Sequence, residues 1–267
     1  MQKNDKSMES DKTNRIPSGF DSLDRITGGF RPGELTVIGA RPSVGKSAFL
    51  RDIIRNHSVD GGNHNMEDQL PVAYFTPTQT SFQLSLRLIW GFLELGPGKD
   101  DRRTSQWKLT KLYKQPLYID DTPNITAQDF RSRAGRLVKK KGVRLIAVDY
   151  LQRMRGPKGS RKSHKAETAA SVRCLKETAA ELNVPVIALS SLVRNNNGYF
   201  SRPRIGDLKY APEAIEENAD VLCLMWKASF ESETVVSVVK NRNGQTGDVR
   251  FDYNPAEGFS FREISDE

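Results

Sequence analysis

The chain has 267 residues, 28% of them charged, a formal net charge of +8 and a mean hydropathy of −0.58. That length suits one large α/β domain or two small ones. No apolar run approaches the ~18 residues a membrane span needs, and the polar N-terminus lacks the apolar core of a secretory signal; a cytoplasmic protein with no membrane partner is expected. The basic balance fits a polyanionic partner, although charge alone does not identify one. Cys174 and Cys223 have no metal-ligand spacing and read as buried free thiols of a reducing compartment, and His57, His64 and His164 make no zinc cluster.

In chain order, residues 1–14 form a charged, polar leader with too few apolar residues to pack, and disorder is expected there. A strand over 35–38 runs into Ala40-Arg41-Pro42-Ser43-Val44-Gly45-Lys46-Ser47, and a helical pattern follows over 46–57. Strand, tight loop and helix aim several backbone N–H groups and the positive end of the helix dipole at one spot. This is a phosphate-binding loop, with Arg41, Pro42, Ser43, Val44, Gly45, Lys46 and Ser47 as its nucleotide-binding residues. Lys46 reaches the β/γ-phosphates in such loops, and the Ser47 hydroxyl holds Mg²⁺. The motif wants Gly where this chain has Ala40.

Further strands are predicted over 72–76, 117–119, 145–149, 186–190 and 221–226, and helices over 80–95, 126–141 and 165–182. Most of the strands are continuous apolar runs, as a parallel sheet covered on both faces requires. Segments 234–240 and 249–253 flank Asn243-Gly244-Gln245-Thr246-Gly247, which suggests an antiparallel hairpin. The βαβα rhythm closing in that hairpin implies a single doubly wound domain from residue 15 to 267, with 61–69 and 96–103 as surface loops.

Asp149 ends one apolar strand. An acid there can orient the Mg²⁺ shell beside the phosphate loop, or simply cap the following turn. After it come Arg153, Arg155, Lys158, Arg161, Lys162, His164 and Lys165, with Gly156 and Gly159 between them. Such a loop suits sequence-independent contact with the phosphates of single-stranded DNA, a solvated surface, or docking on an acidic partner. It contains no aromatic residue, so base stacking is not expected. Lys139-Lys140-Lys141 ends a helix, where cations favour the dipole.

Several motifs together resemble one family. They are Ile16-Pro17-Ser18-Gly19-Phe20-Asp21-Ser22-Leu23-Asp24, Thr27-Gly28-Gly29-Phe30-Arg31-Pro32-Gly33-Glu34-Leu35, the phosphate loop, Asp149-Tyr150-Leu151-Gln152 and Lys240-Asn241-Arg242-Asn243-Gly244. In that order, over about residues 15–253, they are similar to the motor domain of DnaB-type replicative DNA helicases. The resemblance implies a RecA-like P-loop NTPase of α/β class: a mostly parallel central sheet, helices on both faces and a C-terminal β-hairpin. It further implies a hexameric ring using ATP and Mg²⁺ on single-stranded DNA, with each nucleotide between neighbouring subunits. Within it Lys46 and Ser47 hold phosphates and metal, Asp149 completes the metal shell, and Lys240 and Arg242 are offered to the neighbour's γ-phosphate. The family commonly carries Ala at the position of Ala40.

Three departures from the family pattern stand out. The family's water-activating Glu, in Phe-Ser-Leu-Glu-Met, aligns with Thr78 of Phe75-Thr76-Pro77-Thr78-Gln79. Threonine is no general base near pH 7; Gln79 follows it, but strand alternation points that side chain elsewhere. The family's phosphate-sensing Gln aligns with Ser191, and its Asp-Leu-Arg-Glu-Ser-Gly loop becomes the longer 207–213, stiffened by Pro212. The expectation is ATP binding with weakened hydrolysis; the alternative is a non-motor adaptor or inhibitor acting on a replicative helicase or its loader.

Overall fold

Short apolar runs form the strands β1 (Leu35–Ala40), β2 (Val72–Phe75), β3 (Leu117–Asp120), β4 (Leu145–Val148), β5 (Val186–Ser191), β6 (Val221–Lys227), β7 (Glu233–Asn241), β8 (Gly247–Asp252) and β9 (Arg262–Glu263). In this computed structural model the described residues are 15–58, 70–93, 116–155, 163–193, 200–228, 233–254 and 260–264. Among them the strands make one sheet in the order β3-β2-β4-β5-β1-β6-β7-β8-β9. The first six strands pair in parallel, and β7, β8 and β9 add antiparallel ones.

The helices are α1 (Asp21–Thr27), α2 (Lys46–Ser58), α3 (Ser81–Leu93), α4 (Ala127–Lys141), α5 (His164–Leu182) and α6 (Pro212–Asn218). They divide between the two faces of the sheet. On one face Leu23 of α1, Phe49 and Ile53 of α2 and Leu84 of α3 pack on Ile38, Tyr74 and Ile187. On the other, Phe130 of α4, Leu175 of α5 and Ile215 of α6 pack on Val37, Ile146 and Leu222. Central strands therefore bury alternate residues in two cores, which is why they read as unbroken apolar runs. Caps fix the helix ends. Thr126 accepts from the Asp129 amide and Ser163 from the Ala166 amide, while Gly142 and Asn183 close α4 and α5 in the left-handed region.

The predicted strands and long helices are observed within a few residues, and β7 and β8 pair as the expected hairpin. At seven residues each, α1 and α6 span only two turns, too short for periodicity to declare them. Pro212 starts α6 rather than stiffening a loop, a position where its missing N–H costs nothing. The 1–14 leader and the 61–69 and 96–103 loops lie outside the described residues.

The C-terminal segment folds back over α2. The Phe261 amide donates to Asp52 at 2.7 Å, and Arg55 lies 3.2 Å from the same carboxylate. Burial pushes the Asp52 carboxyl up to about 6 against both partners. Phe261 stacks on Tyr253 with centroids 4.1 Å apart and meets Phe49 edge-on at 5.1 Å. Cys223 is buried, which pushes its thiol up to about 12, and Cys174 donates to the Ala127 carbonyl.

Candidate functional site

The site is built at the carboxyl ends of β1, β2, β4 and β5, where strand order reverses around β1. Between β1 and α2 the loop turns through Ser43 (φ 65°) and Gly45 (φ 105°). A Cβ on Gly45 would lie 2.7 Å from the Tyr253 ring and 2.9 Å from Phe261, so the aromatic cover as well as the backbone demands glycine. Ala40 is the last residue of β1, fully buried and paired with Ser191 and Met225. Its φ is not left-handed, so alanine serves where the motif has glycine.

Lys46 opens α2, a 13-residue helix whose first amides have no partner within the helix. Burial lowers its ammonium below the ordinary lysine value, only partly offset by the charge of Asp149. Its Nζ lies 5.5 Å from the centroid of the Tyr150 ring. A cation desolvated beside a cradle of amides at a helix N-terminus matches the chemistry of a polyphosphate. The loop 41–45, Lys46 and Ser47 are the residues that can hold a nucleotide, and Ser47 with Asp149 can hold its metal.

The Arg41 side chain leaves this cradle. It is 3% exposed, its Nη1 donates to the Ser201 carbonyl at 2.7 Å, and its Nη2 lies 3.8 Å from Asp207. Arg41 thus offers the loop only its backbone, and its guanidinium ties that loop to residues 200–207.

Asp149 follows β4 and is 2% exposed. Tyr74 donates its hydroxyl to Asp149 Oδ2 at 3.1 Å, orienting the carboxylate from β2. Thr78 is exposed, and its hydroxyl donates to the Asp149 carbonyl at 3.4 Å. Gln79 lies in the bend past the end of β2, where strand alternation does not set its direction, and its Oε1 accepts from Arg87 at 2.9 Å. The Ser191 amide donates to Gln152 Oε1, while Gln152 Nε2 donates to Ser190 Oγ at 2.8 Å and to the Lys209 carbonyl.

Lys240 and Arg242 stand at the other end of the sheet. Lys240 is level with Leu222, whereas Ala40 is level with Met225 of the same strand β6. Three residues separate those levels, roughly 10 Å along the strand. The Lys240 ammonium donates to the Glu216 carbonyl; Arg242 donates to the Glu217 carbonyl at 2.7 Å and lies 3.4 Å from Asp220. Their own phosphate loop is not where these two cations point.

Of the basic residues, Arg153 donates to the Tyr150 hydroxyl at 3.2 Å, Arg155 pairs with Glu167 at 3.3 Å, and Lys165 lies 3.6 Å from Glu213. Lys158, Arg161 and Lys162 lie outside the described residues.

A family model, "DnaB-like helicase C terminal domain", matches residues 15–261. The chain belongs to that family. It is 34% identical over 253 residues to the replicative DNA helicase DnaB of Geobacillus stearothermophilus, covering 88% of this chain and 54% of that protein. Against the replicative DNA helicase DnaC of Bacillus subtilis (strain 168) the identity is 33% over 252 residues, covering 88% and 53%. The chain therefore spans about half the length of the curated relatives it matches. Among solved structures, a DnaB-like replicative helicase, solved with its interactions with primase, superposes with a TM-score of 0.81 at 25% identity, covering 94% of this chain and 62% of that one. A second solved structure, an ATPase domain, gives 0.84 at 25% identity, covering 97% and 95%.

Three residues of this DnaB-like domain escaped the sequence reading. Tyr74 was visible only as a strand aromatic, and Gln152 only as part of a motif. Tyr210 has φ 76°, which nothing in its neighbourhood of sequence announces. Among the described residues, no helix is long and apolar enough to cross a membrane.

Proposed function

We propose that this DnaB-like domain binds ATP with Mg²⁺ and single-stranded DNA, and hydrolyses the nucleotide slowly. The observation that carries the reading is the buried Lys46 ammonium at the first residue of α2, within electrostatic reach of Asp149. Lys46 and the amides of 41–47 bind and orient the phosphates; Ser47 and Asp149 hold the metal, with Tyr74 fixing the carboxylate. When bound, Mg²⁺ neutralises charge on the β- and γ-phosphate oxygens. Hydrolysis also needs a group that takes a proton from the attacking water. Thr78 supplies no such base, and a missing base costs roughly 10²–10⁴-fold in rate.

Lys240 and Arg242, placed away from their own phosphate loop, are suited to a neighbour's nucleotide in a ring of like subunits. Arg153, Arg155 and Lys165, with Lys158, Arg161 and Lys162, supply the phosphate contacts to DNA. Thr78 and Ser191 favour a second reading: a non-motor adaptor or inhibitor that binds ATP and acts on a replicative helicase or its loader.

ATP turnover of the unmodified chain, with and without single-stranded DNA, tests the proposal. Expected is a turnover below roughly 0.1 s⁻¹, against the 1–10³ s⁻¹ typical of enzymes. DNA-stimulated turnover above about 10 s⁻¹ overturns slow hydrolysis. Size exclusion with nucleotide separates the two readings, a hexamer supporting the ring and a monomer the adaptor.

A further inference from the structure

Beside the nucleotide site lies a pocket of about 230 Å³ lined by Tyr150, Gln152, Arg153, Arg155, His164, Ser191, Lys209 and Tyr210. Its walls come from four places in the chain: the turn after β4, the start of α5, the end of β5 and the loop ahead of α6. Two features distinguish it from a solvated basic surface.

The first is an aromatic platform. The rings of His164 and Tyr210 stack with centroids 5.1 Å apart and planes 20° from parallel. The Lys209 ammonium sits 4.8 Å from the Tyr210 centroid. The pair is assembled across 46 positions of sequence, which is why the basic loop, read alone, held no aromatic surface. The second feature is strain: Tyr210 has φ 76°. A bulky side chain in the left-handed region is strained and persists where its surroundings hold it, commonly at ligand sites. Here the Gln152 amide on the Lys209 carbonyl and the Pro212 start of α6 bracket Tyr210 on either side.

Charge completes the pocket. Glu167 faces both Arg155 and His164, at 3.3 and 3.7 Å, and offsets part of their charge. The remaining positive potential comes from Arg153 and Lys209. A ring face next to ammonium and guanidinium groups suits a planar base attached to a phosphodiester. The volume suits one base rather than an extended ligand.

We propose that this pocket takes one nucleotide unit of a single strand of DNA, with its base stacked on the Tyr210–His164 platform and its phosphate on Arg153 and Lys209. The proposal rests on the DNA-binding reading above and adds to it a base contact that phosphate binding alone does not require. Stacking on an aromatic face tolerates any base, so affinity rises without sequence preference.

Binding of the full chain to oligothymidylate and to the same backbone lacking its bases separates the two ideas. The unmodified protein is expected to bind the intact strand roughly 5- to 100-fold more tightly than the abasic one. Tyr210→Ala should weaken intact-strand binding by that same factor, leave abasic binding unchanged, and leave the salt slope unchanged, because no phosphate contact is removed. Tyr210→Phe keeps the ring and should restore the preference, which separates stacking from misfolding. A 2-aminopurine in the strand should be quenched by the unmodified protein and by Tyr210→Phe but not by Tyr210→Ala. Equal affinity for intact and abasic strands overturns the stacking site and leaves an ionic surface. No binding to either strand overturns the DNA reading as well.

Discussion

Thr78→Glu is expected to raise DNA-stimulated ATP turnover by about 10²-fold or more, the return of a general base. The position supports the effect. Thr78 lies in the turn after β2, with its hydroxyl 3.4 Å from the Asp149 carbonyl, at the carboxyl ends of the strands that carry the site. It is exposed, so a glutamate there costs little folding stability, typically within about 0.5 kcal/mol. Thr78→Gln is the control, since it adds a polar side chain of the same length without a base. Steady-state turnover at saturating ATP, with melting temperature alongside, reads the outcome. A gain limited to the glutamate variant identifies a motor disabled at the chemical step. No gain in a folded glutamate variant places the defect elsewhere, with Ser191 next.

Asp220→Ala is expected to remove about 3 kcal/mol of folding stability, the low end for breaking a buried ion pair. Asp220 is 4% exposed and sits just before β6. Its Oδ2 accepts from the Leu35 amide and from Lys176 Nζ, both at 2.7 Å, and Arg242 lies 3.4 Å from Oδ1. One carboxylate therefore joins the start of β1, the helix α5 and the end of the β7 hairpin arm. Both cations reach solvent, which holds the loss below that of a fully enclosed pair. At roughly 2–4 °C per kcal/mol for a chain of this size, the melting temperature should fall by about 6–12 °C. Arg242→Ala should shift it by much less, because exposed pairs contribute about 0–1 kcal/mol. Equal losses in the two variants would show that Asp220 has no special structural role.

What could be read from the sequence was local. The phosphate loop lies within eight consecutive residues, and its strand–loop–helix setting was visible in adjacent apolar patterns. The two-sided sheet was legible because burial on both faces leaves continuous apolar strands, as in Val186–Ser191. Motif order carried the family. What depended on distant contacts stayed hidden. The Arg41 side chain looked like part of the nucleotide cradle, yet 160 positions of sequence separate it from its Ser201 partner. Asp52 gave no hint that Phe261 would dock on it, or that the cover thereby formed would press on Gly45. The Tyr210–His164 stack brings an aromatic ring from outside the basic loop against its end, a contact the sequence of the loop itself does not show. Side-chain direction is set by the neighbours that tertiary packing brings, and a pattern read along the chain does not encode those neighbours.

Both proposed readings, motor and adaptor, require a triphosphate seated at Lys46 with magnesium held by Ser47 and Asp149. Calorimetric titration of the folded chain with a nonhydrolysable ATP analogue, with and without Mg²⁺, tests this most directly. One saturable site per chain that weakens sharply when Mg²⁺ is withdrawn is the predicted result. A folded protein that gives no binding heat and no melting shift under either condition contradicts it.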